Sequence, residues 1–159
     1  MRYHMHKQDQ LISDERVLEQ VLQEGRFITL ALCRGGEPYV VTLSYGYDVD
    51  QRALYFHTAL EGLKLAFIAD NPATCGTVIE DRGYQEGCCS HAYRSVVVWG
   101  EITEVTDQDE MQRCMLLMVD QLEADPSVMR RRLQKRSETY QRVRVLRLDI
   151  REMSGRAGT

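Results

Sequence analysis

Between residues 26 and 58 three strand-like runs follow one another, 26–33, in which apolar and polar side chains alternate, then 38–47 and 53–58. Only short polar links join them, Arg34-Gly35-Gly36-Glu37 and the stretch 48–52. Such alternation turns one face of a strand toward a core and leaves the other outside. Links this short cannot hold a helical crossover, so the runs must pair as antiparallel strands. The pattern continues with a fourth strand over 73–80, a fifth over 93–105 and a sixth over 142–153. Gly100 falls inside the fifth strand, as at a bend or bulge, and the sixth changes phase at Val145-Leu146, which also predicts a bulge. The expected fold is mainly β with flanking helices, a six-stranded antiparallel barrel.

The helices are few and short. Ser13 is placed to cap a helix over 14–24, with Val17, Leu18, Val21 and Leu22 as its stripe and Gly25 as its stop. Leu63, Phe67 and Ile68 suit one face of a short helix within 61–70, ended by Asn71-Pro72. Asp107 with Glu110 makes a cap for a helix to about residue 124, with stripe Met111, Cys114, Met115, Met118 and Leu122. Pro126 opens a further helix, and the polar, glycine-containing stretch 81–91 is expected as a loop.

The chain has 159 residues, 43% of them apolar, which suits a single domain over 1–159. A net charge of −4 gives no long-range attraction for nucleic acid or anionic lipid. Arg130-Arg131-Arg132 with Lys135 and Arg136 reads as a solvated helix face. No run approaches the roughly 20 apolar residues of a membrane helix. Residues 1–10 are polar and lack the apolar core of a secretion signal. Five cysteines form no Cys-x-x-Cys pair, and Cys33, Cys75 and Cys114 lie within apolar patterns, as in a reduced cytoplasmic protein. Cys88, Cys89 and His91 lack the two spaced ligand pairs of a zinc site, and His4 and His6 would complete one only by coincidence. No metal is expected, and no Ser-His-Asp or Cys-His order points to hydrolysis.

The chemistry concentrates in residues 54–64, Leu-Tyr-Phe-His-Thr-Ala-Leu-Glu-Gly-Leu-Lys, which read as a strand, a tight link and a helix start. A helix start presents free N–H groups and partial positive charge, which suits phosphate. Gly62 allows close backbone approach. Lys64 puts a cation in a first turn, where the helix dipole does not favour it unless an anion sits there too. Thr58 adds a hydroxyl and His57 a ring nitrogen. The glycine-rich dinucleotide and triphosphate loops are absent.

This run, His57 to Lys64 followed by Asn71-Pro72, resembles the flavin-phosphate segment of the pyridoxamine 5'-phosphate oxidase-related family, and most of all its nitroimidazole-resistance branch. Residues 36–45, Gly-Glu-Pro-Tyr-Val-Val-Thr-Leu-Ser-Tyr, are similar to that branch's second strand, and 93–100, Tyr-Arg-Ser-Val-Val-Val-Trp-Gly, to its fifth. Leu148-Asp149-Ile150 with Met153-Ser154-Gly155-Arg156 resembles its last strand and tail, where lysine is more usual than Arg156. The resemblance implies an FMN-binding split barrel, a homodimer with flavin at the subunit interface. FMN is the implied cofactor, with FAD as the alternative. The phosphate would lie near Thr58, Ala59, Gly62 and Lys64, with His57 close by. The ring would lie along Val40, Val41, Thr42, Leu43 and Tyr45, and Arg94 and Ser95 are further contacts. Tyr39, Tyr45, Tyr47 and Trp99 are the candidate walls for a flat acceptor, and His57 or Tyr45 the candidate proton donors. The implied activity is reduction of a small electrophile such as a nitroaromatic, with electrons from a nicotinamide donor or a partner reductase. The alternatives are a flavin carrier or sensor without turnover, and a haem-binding split barrel. The arginine and histidine pattern of the vitamin B6 oxidases is not matched in 142–159, so that activity is not expected.

Overall fold

A computed structural model describes residues 8–135 and 142–158. Its strands are β1 (Leu11–Ile12), β2 (Phe27–Arg34), β3 (Glu37–Ser44), β4 (Gly46–Asp48), β5 (Ala53–Thr58), β6 (Ala73–Gln85), β7 (Ser90–Val105) and β8 (Arg144–Gly158). Its helices are α1 (Glu15–Glu24), α2 (Leu63–Asp70), α3 (Gln108–Leu122) and α4 (Ser127–Lys135). All eight strands join one antiparallel sheet in the order β3-β2-β6-β7-β8-β5-β4, with β1 added on β8. The sheet rolls up until β3 approaches β5 without closing, so the expected six-stranded barrel is a split barrel with two short additional strands, β1 and β4.

β4 arises because the run 38–47 breaks at Tyr45. Before the break the chain pairs with β2, and after it with β5. A Cβ on Gly46 would lie 2.9 Å from the Met118 nitrogen, so this crossing passes directly under α3.

The expected loop 81–91 is instead the outer arm of the β6–β7 hairpin, paired to Gln85↔Ser90. It is polar on both faces because it projects past the core, so periodicity had no apolar partner to register. The second expected bulge is also elsewhere. The ladder is regular through Glu104↔Leu146 and Val105↔Val145, and the register shift falls at Arg151, opposite Trp99-Gly100. Val145 and Leu146 are both apolar because β8 is covered on both faces at that point. Leu146 joins the main core within the roll, and Val145 joins a second core under α3 and α4 with Ala53, Tyr55, Met115 and Leu133. Gly100 does mark the shift, since a Cβ there would lie 2.0 Å from the Asp149 carbonyl oxygen.

Asp14, not Ser13, caps α1, its carboxylate accepting from the Arg16 amide at 3.0 Å. Asp107 caps α3 by accepting from the Glu110 amide at 2.8 Å. On α4, Arg130 is paired with Asp120 at 2.6 Å, and Arg131 and Arg132 are exposed. No helix of the described residues is long and apolar enough to cross a membrane. Cys33, Cys88 and Cys89 are exposed free thiols. His4, His6 and Arg136 lie outside the described residues.

Candidate functional site

β5 delivers the chain to the link 59–62, and α2 starts at once beyond it. Gly62 is the N-cap residue, with φ 151°, and no side chain of the described residues caps the helix. A φ in that range strains any residue with a Cβ. Leu65 donates to the Gly62 carbonyl at 3.0 Å and starts the helical ladder. Lys64 is half-buried in the first turn and has no ion-pair partner among the described residues. Its Nζ lies 3.8 Å from the point a Gly62 Cβ would occupy, so the ammonium stands over the bare face of that glycine. Thr58 is buried, and its Oγ1 has no hydrogen-bond partner among the described residues. An uncapped helix start, an unpaired ammonium and an orphaned hydroxyl therefore flank one short link. Together they can hold an oxyanion with two negative charges, such as a phosphate monoester.

His57 and Thr58 are successive in a strand and face opposite ways. Thr58 shares the main-core face with Leu54 and Phe56, whereas His57 is exposed on the face of Tyr55 and Val145. Ala59 is exposed in the link. Sequence reasoning missed Arg144, which is far away in the chain but pairs with Thr58 across β5 and β8. Its Nε donates to the Leu60 carbonyl at 2.8 Å and its Nη1 to Glu104 at 2.6 Å.

The expected platform strand divides by alternation. Val40 is 61% exposed on the outer face, with Thr42 beside it sharing a 3.0 Å hydroxyl contact with Thr29. Val41 and Leu43 point inward and pack against the main core. Tyr45 is fully buried, and its hydroxyl donates to the Leu22 carbonyl at 2.7 Å. Burial pushes that phenol well above its ordinary range. Tyr47 is likewise buried, its hydroxyl without a partner among the described residues and its pKa pushed up to about 12 by desolvation. Tyr39 stacks on Phe67 with ring centroids 5.1 Å apart. The three tyrosines pack into the main core, whereas Trp99 stands half-exposed on the outer face.

Arg94 and Ser95 also face opposite ways. The Arg94 guanidinium donates to Glu80 and to Gln20, the latter at 3.1 Å, with Glu24 at 3.6 Å. Ser95 looks outward into a cavity of about 320 Å³ bounded also by Thr77, Ile79 and Tyr93. At its rim His91 Nε2 meets Asp81 at 2.7 Å, and this contact holds the Asp81 carboxyl below its usual range. The alternation that would have flagged this pair is absent from the polar hairpin arm.

Residues 14–157 match the sequence pattern of pyridoxamine 5'-phosphate oxidase. No curated protein sequence matches the chain. Several solved structures share its fold. A candidate 5-nitroimidazole antibiotic resistance protein from Bacteroides thetaiotaomicron superposes with a TM-score of 0.77 at 19% identity, covering 98% of this chain and 96% of that one. The flavocytochrome Anf3 from Azotobacter vinelandii gives 0.82 at 17% identity, covering 99% and 73%. A FAD-binding protein from Mesorhizobium loti gives 0.65 at 26% identity, covering 92% and 96%.

Proposed function

We propose that this chain, which belongs to the pyridoxamine 5'-phosphate oxidase family, acts as a single flavin-binding domain that passes electrons to a small electron-poor acceptor. The observation that carries the flavin reading is the β5–α2 junction, where, among the described residues, Thr58 Oγ1 is buried without a partner and Lys64 is half-buried without a counter-ion. Both are unsatisfied in the free chain and both suit the flavin's phosphate. The FAD-binding protein from Mesorhizobium loti and the Azotobacter flavocytochrome, which share the fold, support the same cofactor class. FMN fits the single phosphate cradle, and identification of the released chromophore decides between FMN and FAD.

When bound, the flavin supplies the redox chemistry. The chain anchors its phosphate through Lys64, Thr58 and the amides of the α2 start, and offers Val40 and Thr42 as a flat outer surface for the ring. The surrounding outer face, with Phe27, Val40 and Ile79 each more than 60% exposed, is too apolar to stay wet. A second copy of the chain covers it, as a homodimer with flavin between the subunits. The exposed free thiols fit a reducing, cytoplasmic setting. Electrons come from a nicotinamide donor or a partner reductase.

The carrier reading keeps one observation in its favour. Tyr45, a candidate proton donor, is buried and its proton is committed to Leu22, which leaves exposed His57 as the candidate donor.

The purified protein should be yellow, with equimolar flavin released on denaturation. Colourless protein that takes up neither FMN nor FAD refutes the flavin reading, and a haem spectrum replaces it with the haem one. Chemically reduced protein mixed anaerobically with a nitroimidazole should be reoxidised faster than free reduced FMN. Equal rates leave the carrier reading in place of the enzyme.

A further inference from the structure

We propose that Arg144 is the positioning residue of the β5–α2 link, the group that holds 59–62 in the shape that receives the cofactor's phosphate. This rests on the flavin reading above. The link has little else to define it. Residues 59–62 are all exposed, so no burial anchors them. Gly62 at φ 151° adds a residue with wide conformational freedom. A segment of this kind samples many backbone states unless a specific bond selects one. Among the described residues, Arg144 is the only side chain that hydrogen-bonds the link, through its Nε and the Leu60 carbonyl at 2.8 Å.

The rest of the guanidinium is fixed from the other side. Glu104, near the end of β7, takes Nη1 at 2.6 Å. Arg144 is also the cross-strand partner of Thr58, so its side chain and the orphaned Thr58 hydroxyl lie on the same sheet face. One planar fork therefore ties the link to β7 and β8, the longest strands of the sheet. A lysine at this position would keep the charge but, with one nitrogen on a flexible stem, would not reproduce two fixed bonds at a set angle. Charge and positioning can thus be separated by substitution.

The experiment compares Arg144→Gln and Arg144→Lys with the full-length wild type, using FMN and riboflavin, which lacks the phosphate. Both substitutions should weaken FMN binding about tenfold, the loss of one charged hydrogen bond, and leave riboflavin binding unchanged. In the ligand-free protein, amide hydrogen exchange over 60–64 should speed up while that of Leu54 to Phe56 stays the same. Unchanged FMN affinity, equal losses for FMN and riboflavin, or full rescue by lysine each overturns the proposal. A wild type that binds neither compound refutes the flavin reading by itself. The exchange measurement then still decides the clamp, since unchanged exchange in both variants refutes it without any flavin present.

Discussion

Lys64 and Thr58 are costly residues in the free chain. A cation in the first turn of a helix opposes the helix dipole, and a buried hydroxyl without a partner loses its hydration for nothing in return. Both costs reverse if a phosphate arrives. Lys64→Ala should therefore weaken FMN binding by roughly 1.5–3 kcal/mol in a fluorescence titration, while the melting temperature of flavin-free protein holds or rises. Unchanged affinity would remove Lys64 from the site. Tyr45 is the opposite case, a functional candidate whose hydroxyl serves the core. Tyr45→Phe deletes one buried hydrogen bond, but the Leu22 carbonyl keeps the Gln121 amide at 3.1 Å. Urea unfolding should show a loss of about 1 kcal/mol, with flavin affinity unaltered. A variant of native stability that fails to bind flavin would return Tyr45 to the site.

At the level of elements, Gly100 sets the path of the two longest strands. A methyl group there would meet the Asp149 carbonyl at 2.0 Å, and backbone cannot swing aside as a side chain does. Gly100→Ala should cost at least about 2–3 kcal/mol, read as a lower urea midpoint, and a near-neutral result would mean the shift at Arg151 adapts. This glycine was legible in the sequence because strands rarely hold glycine without reason. β5 and the cap of α3 were legible too, the strand from the polar turns that bound it and the cap from Asp107 with Glu110. Three things were not. Val145-Leu146 mimicked a bulge because one sequence cannot say that helices cover the second face of β8. The arm 81–91 lost its alternation by leaving the core. Arg144 reached the site only through the β5–β8 ladder, a pairing that no local pattern encodes. The strand over 37–44 was legible, but its alternation sends Val41 and Leu43 inward and leaves Val40 and Thr42 exposed.

For the whole molecule, the exposed apolar residues Phe27, Val40 and Ile79 of the outer face are where the proposed dimer is to be tested. Val40→Lys should convert the proposed dimer to a monomer of native secondary structure in light scattering, because a charge at the centre of an apolar contact is costly to bury. A wild-type monomer would refute the dimer, and a dimeric Val40→Lys would move its interface elsewhere. The strand order carries one more consequence, for the making of the protein. β2, β3, β6 and β7 can pair as each emerges from the ribosome. β5 cannot find its long partner, because β8, the last of these eight strands to be translated, is the one that lies between it and β7. Until then Leu54 and Phe56, fully buried in the finished fold, belong to a strand without its main ladder. Pairing over so long a separation is slow, and an apolar strand waiting for it is what chaperones bind and what aggregates in their absence. Synthesis should therefore be this chain's most vulnerable period, and the exposed interval should last as long as translation of everything from α2 through β6, β7, α3 and α4 to β8.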